Sequence, residues 1–186
     1  MGRLPEYDYS IDVSARFIQD NGQFSVSRSY IKAILCLFAY QQPKSFIDDS
    51  IVRISNDWLK QANSKNYHHF FPRGYLQKRI EPWDPRINHV ANITIVDDYL
   101  NKRKIRDRSP SDYMSDFKVK NEKLAQTMQT HLIDVETFGV WNDDFDTFFR
   151  KRCERIGEEL SLRIISRPGE ENQQRVELND VEEIEV

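Results

Sequence analysis

Three prolines, Pro72, Pro82 and Pro85, punctuate the middle of this chain and exclude a long helix there. Before them stands a short aromatic run, Tyr67-His68-His69-Phe70-Phe71. After them comes Asn92-Ile93-Thr94-Ile95-Val96, alternating and β-branched. Both compositions favour strands. Pro72 stops the first strand, because proline has no amide to give to a ladder. The pattern predicts two short strands joined by a loop over 73–90. A short helix should follow, capped by Asp97 or Asp98 and carrying Tyr99, Leu100, Asn101 and Arg103.

The rest of the chain reads as helical support, so the expected class is α+β and mainly helical. A helical pattern starts near Asp12 with Val13, Phe17 and Ile18. Ser25 or Ser27 can cap a second helix through Tyr30, Ile31, Ile34, Leu35, Leu37 and Phe38, ending before Pro43. Apolar residues take most of its circumference, which predicts a buried core helix. Residues 43–50 read as a turn, Ile51 to Ile54 as a short extended piece. Ser55 or Asn56 can cap a helix through Trp58 and Leu59. Ser109-Pro110-Ser111-Asp112 is a strong helix start, with a capping serine, proline at N1 and an acid at N3. Residues 121–133 read as helical through Leu124, Met128, Leu132 and Ile133. Asn142 or Asp143 should cap a long last helix carrying Phe145, Phe148, Phe149, Arg152, Ile156, Leu160 and Ile164. Gly157 weakens that helix locally. Trp58, Trp83 and Trp141 read as packing anchors, with Trp83 in the proline-rich loop the doubtful one.

A net charge of -3 over 186 residues argues on its face against a nucleic-acid binder. The average conceals a split. Residues 169–186 hold seven acids against Arg175, a charge of -6, so -3 overall leaves +3 for the remainder. Residues 65–108 carry ten Lys or Arg against five Asp or Glu, which concentrates positive charge on the central unit. The expected organisation is a helical support region over 1–64, the central unit over 65–118, and helices packing on the same core over 119–168. An acidic tail over 169–186 is expected to be disordered. Cys36 and Cys153 lack motif spacing and fit core positions in a reducing compartment. The longest apolar run, Ala33 to Tyr40, is far below the roughly 20 residues of a membrane span. The opening residues show no signal-peptide pattern, so a cytoplasmic location is expected.

Cleaving a phosphodiester requires a water that loses a proton, a stabilised leaving oxygen and an offset for phosphate charge. A histidine can take the proton at neutral pH. A hard cation on oxygen or imidazole ligands can meet the other two needs. The central unit holds candidates for each: His68 and His69, then Asn92 before the second strand, then Asn101 heading Lys102-Arg103-Lys104.

That order resembles the HNH, or ββα-metal, nuclease finger. The resemblance implies that His69 is the general base, that Asn92 holds the loop around it, and that His68 and Asn101 ligate one divalent cation. A closing asparagine in place of histidine is a variant that suits magnesium, with manganese as the second candidate. Few protein ligands imply weak metal binding without DNA. The runs His-His-Phe-Phe-Pro-Arg, Ile87-Asn88-His89-Val90-Ala91-Asn92-Ile93-Thr94, Asn101-Lys102-Arg103-Lys104-Ile105 and Ser109-Pro110-Ser111-Asp112-Tyr113 narrow the likeness. They resemble the C-terminal HNH domain of GmrSD-type, modification-dependent restriction proteins, over roughly residues 25–165. This implies a DNA endonuclease or nickase in anti-phage defence that leaves a 5′-phosphate. Its partner would be an N-terminal nucleotide-hydrolysing sensor domain absent from this chain. The chain would then be an excised domain or a stand-alone relative.

Each assignment has a plainer counterpart. Asn101 could cap a helix, and Asn92 could bond its own loop. His89 and His131 read as structural. Arg73, Lys102, Arg103, Lys104, Arg106 and Arg108 could form a solvated face; beside a phosphate-cleaving centre they read as backbone contacts to DNA. The acidic tail reads as solubilising, or as a DNA mimic that shields the basic face. The alternative function is a catalytically weak HNH-like module that binds DNA or a partner subunit.

Overall fold

The computed structural model describes residues 11–54, 66–96 and 105–164. The expected helix through Trp58 and Leu59, the helix bearing Asn101 to Lys104 and the acidic tail lie outside these residues. The described chain is α+β and mostly helical, with one two-stranded antiparallel sheet.

Helix α1 spans Ala15–Asn21 and starts where the Ser14 hydroxyl accepts the Phe17 amide at 3.1 Å. Helix α2 spans Ser29–Tyr40. Neither expected serine caps it: the Ser25 and Ser27 hydroxyls bond each other at 2.8 Å, and the N-cap position falls to Arg28. Its buried face is Ile31, Ile34, Leu35, Leu37 and Phe38. Lys32, Ala33, Cys36 and Tyr40 form a solvent stripe, so α2 is half-buried rather than enclosed. Cys36 is therefore exposed, a correction to its expected core role, whereas Cys153 is buried.

Strand β1 spans Tyr67–His69 and β2 spans Ile93–Ile95, paired Tyr67 with Ile95, His68 with Thr94 and His69 with Ile93. The Phe70 amide donates to the Asn92 carbonyl at 2.8 Å and the Val96 amide to the Asn66 carbonyl at 2.9 Å, which extends the ladder at both ends. The connecting loop contains a single-turn helix α3, Arg73–Leu76, and 3₁₀ turns at Pro85–Asn88 and Val90–Asn92. Every residue of β2 is buried.

Helix α4, Pro110–Lys120, begins at the expected Ser109 cap. Helix α5 is only Leu124–Gln129. The expected run to 133 breaks because Leu132 takes a positive φ of 56° and turns the chain back, while Leu132 and Ile133 stay buried. The last helix, α6, spans Phe145–Ser161 and is capped by Asp144, whose carboxylate accepts the Thr147 amide at 3.0 Å. Asp143 does different work: at φ 58° its carboxylate accepts the Ser111 amide and hydroxyl at 2.8 and 2.7 Å, tying the starts of α4 and α6 together.

Helix α6 is the central strut. Phe148 stacks on Phe70 at 4.9 Å and meets Phe71 at 5.0 Å, and Phe145 meets Phe71 at 5.2 Å. The Tyr113 hydroxyl donates to the Phe70 carbonyl at 2.6 Å, which closes this aromatic cluster from α4. Each fully buried ring contributes roughly 1.5–3 kcal/mol of transfer free energy. The Arg152 guanidinium, fully buried, donates to the Ile93 carbonyl at 3.1 Å and lies over the Phe38 ring. The segment just after the histidine pair is thus clamped to the longest helix.

Candidate active site

Strand β1 ends at His69, and the chain bends at Phe70 and Phe71 before Pro72. That bend brings both histidines to one cavity, although consecutive strand residues normally point to opposite faces. The cavity has a volume of about 140 Å³ and is lined by Tyr67, His68, His69, Pro72, Arg73, Gly74, Arg106 and Asp107. His68 is buried, at 4% exposure, whereas His69 is half-buried and reaches solvent through the cavity.

The His69 ring is oriented by a residue that sequence reasoning left without a role. Its Nε2 lies 3.0 Å from the Asn88 side-chain oxygen. A carboxamide oxygen can only accept, so Nε2 carries the proton and Nδ1 keeps its lone pair. Asn88 is held in turn: the Phe24 amide donates to its carbonyl at 3.0 Å. Burial pulls the His69 imidazole below its usual value; the Asn88 bond raises it in part, and the Arg73 charge lowers it further. The net shift favours the neutral ring, the form that can accept a proton.

Asn92 is fully buried, and its side chain is spent on the loop backbone. Its oxygen accepts the Phe71 amide at 2.9 Å, and its nitrogen donates to the Phe71 carbonyl at 3.0 Å and the Ile87 carbonyl at 3.1 Å. It staples the two ends of the loop carrying the histidine pair and Asn88. Asn92 is a positioning residue, one step removed from the cavity.

Of the expected cationic contacts, Arg73 and Arg106 are exposed on the cavity wall. Arg106 sits at a positive φ of 50°. Lys102, Arg103, Lys104 and the expected ligand Asn101 lie outside the described residues. Arg108 pairs with Asp112 at 2.7 Å and Asp116 at 2.8 Å. Arg86 likewise pairs with Asp84 and Asp146. Asp107, which drew no attention in the sequence, lies directly over Gly74: a Cβ there would sit 2.4 Å from its carboxylate oxygen.

His89 and His131 are structural, as expected. The His89 ring donates from Nε2 to the Ile18 carbonyl at 3.1 Å and accepts the Ala91 amide on Nδ1 at 3.1 Å. His131 donates to the Lys44 carbonyl at 2.7 Å. Among the described residues, no group of three or more His, Cys, Asp or Glu side chains is arranged to hold a metal ion by itself. A larger cleft of about 350 Å³ lies between α6 and the 129–138 segment. Its cations Lys151 and Arg155 are already paired with glutamates, and no histidine lines it.

The chain matches no family model, no curated protein and no solved structure. No helix among the described residues is long and apolar enough to cross a membrane.

Proposed function

We propose that this chain is a divalent-metal-dependent DNA endonuclease or nickase of the HNH type, with His69 as general base. The observation that carries the reading is the 3.0 Å bond from His69 Nε2 to Asn88, which leaves Nδ1 as the acceptor of a ring that lines a cavity together with Arg73 and Arg106. A neutral, oriented imidazole beside fixed positive charge suits proton abstraction from a water attacking phosphorus. The arginines would hold the phosphate, and Asn92 would keep the base in register with the loop.

Of the residues lining the cavity, the His68 imidazole and the Asp107 carboxylate are donors that suit a cation keeping most of its shell as water. His68 and Asn101 would hold magnesium or manganese. When bound, the ion would stabilise negative charge on the leaving oxygen. On the resemblance, this activity would serve anti-phage restriction in the cytoplasm, beside a nucleotide-hydrolysing sensor domain that would select the DNA.

A plasmid-nicking assay with magnesium or manganese tests the reading. Wild type should convert supercoiled plasmid to open circle or linear form, and His69→Ala should be inert. A wild type that binds plasmid and never nicks it would support the alternative, a binding module.

A further inference from the structure

Trp83 is 83% exposed, and among the described residues it makes no hydrogen bond and no ring contact. Among the described residues, two other surface aromatics are engaged. Tyr40 carries Arg163 over its ring at 4.9 Å; Trp141 carries Lys118 over its ring and donates to Glu136.

The loop that presents Trp83 is rigidly built. Pro82 and Pro85 flank it. The Asp84 amide closes a turn onto the Glu81 carbonyl at 2.9 Å, and the Asp84 carboxylate accepts the Arg86 amide and guanidinium. Arg86 reaches on to Asp146, and Gln23 donates to the Pro85 carbonyl at 2.8 Å. An indole mounted on a fixed turn loses little freedom on contact, which favours a binding role over passive exposure.

Position and charge select the occupant. Four residues separate Trp83 from Asn88, the partner of His69, and the 3₁₀ turn Pro85–Asn88 shortens that path. The two lie at most about 15 Å apart, the length of roughly four stacked nucleotides. Between His69 and Trp83 along the chain, Arg73, Lys78 and Arg79 are exposed, against Glu81 as the one acid there. Arg79 is held in place over the Tyr75 ring at 3.8 Å. An aromatic platform at the end of a cationic strip is the arrangement that binds unpaired nucleic-acid strands.

We propose that Trp83 stacks on an unpaired base of a DNA strand a few nucleotides from the bond held at His69, with Arg73, Lys78 and Arg79 tracking the backbone. This rests on DNA being the substrate, and it adds a requirement for locally unpaired DNA. The test is equilibrium binding of a fluorescently labelled single-stranded oligonucleotide in EDTA, which separates binding from cleavage. Wild type should bind, Trp83→Ala should bind roughly tenfold more weakly, and Trp83→Phe should recover much of the loss. DNA should quench the intrinsic tryptophan fluorescence of wild type more than that of Trp83→Phe. Unchanged binding by Trp83→Ala overturns the stacking role and leaves the nuclease reading intact. Trp83-dependent binding without nicking in magnesium leaves stacking standing and removes the nuclease reading. A wild type that binds no DNA overturns both.

Discussion

The side chain of Asn92 bonds both backbone groups of Phe71, accepting its amide at 2.9 Å and donating to its carbonyl at 3.0 Å. This two-point clamp joins the start of β2 to the bend after His69. Its partners are buried backbone groups that no solvent can reach, so losing the clamp leaves them unsatisfied. Asn92→Ala should destabilise the protein by about 2–4 kcal/mol in chemical denaturation. Asn92→Asp should be no better, because a buried carboxylate would face the Phe71 and Ile87 carbonyls. A midpoint within error of wild type for both variants would remove the clamp from the account.

His69→Ala should lower nicking by about 10²–10⁴-fold while the melting temperature falls little, since the half-buried ring is held by a side-chain bond to Asn88. Asn88 tunes the same ring. Because burial depresses the His69 value, the acid limb of kcat/KM should fall below the ordinary imidazole range near 6.5. The base is active when neutral, so activity drops as pH falls through that limb. Asn88→Ala removes a raising influence and should move the limb lower; Asn88→Asp adds a nearby negative charge and should move it higher. Superimposable pH profiles for the three proteins would detach Asn88 from the base.

Stability should fall in mild acid because of two other rings. Burial pushes His89 and His131 down to about 4. Their folded values lie below the unfolded value near 6.5, so the unfolded chain takes up protons first. The stabilisation is whole above pH 6.5 and is lost progressively down to about pH 4, on the order of 3 kcal/mol per ring. For His89 the cause is visible: protonating Nδ1 would expel the Ala91 amide. Urea midpoints at pH 7.5, 6 and 5 should trace this decline, and His89→Gln should flatten it.

Gly157 sits inside α6, where alanine would ordinarily gain up to about 1 kcal/mol of helix propensity. Here a Cβ would stand 2.7 Å from the Val13 carbonyl oxygen, and that atom is backbone. Gly157→Ala should therefore destabilise by about 1–3 kcal/mol, measured by thermal or urea unfolding. A gain would show that residues 11–14 can yield without cost.

Much of this protein could be read along the chain because the signals are local. Ser109 caps its helix as its spacing requires, Pro72 ends β1 within three residues of His69, and the β-branched run at Ile93–Ile95 forms β2. The apolar period of α6 survived its glycine. What could not be read depends on partners distant in sequence. Leu132 looked helical until a positive φ turned it, since burial of Leu132 and Ile133 outweighs helix continuation.

The histidine pair and the asparagines that flank it were set by sequence alone, because residue type limits which groups can take a proton or staple a loop. Their roles were divided by tertiary structure: Asn88 reaches His69 across 19 positions, and Asn92 turns inward to the backbone. Hydrogen-bond geometry at that range depends on where α6 clamps the loop through Phe148 and Arg152, and no local pattern encodes that position.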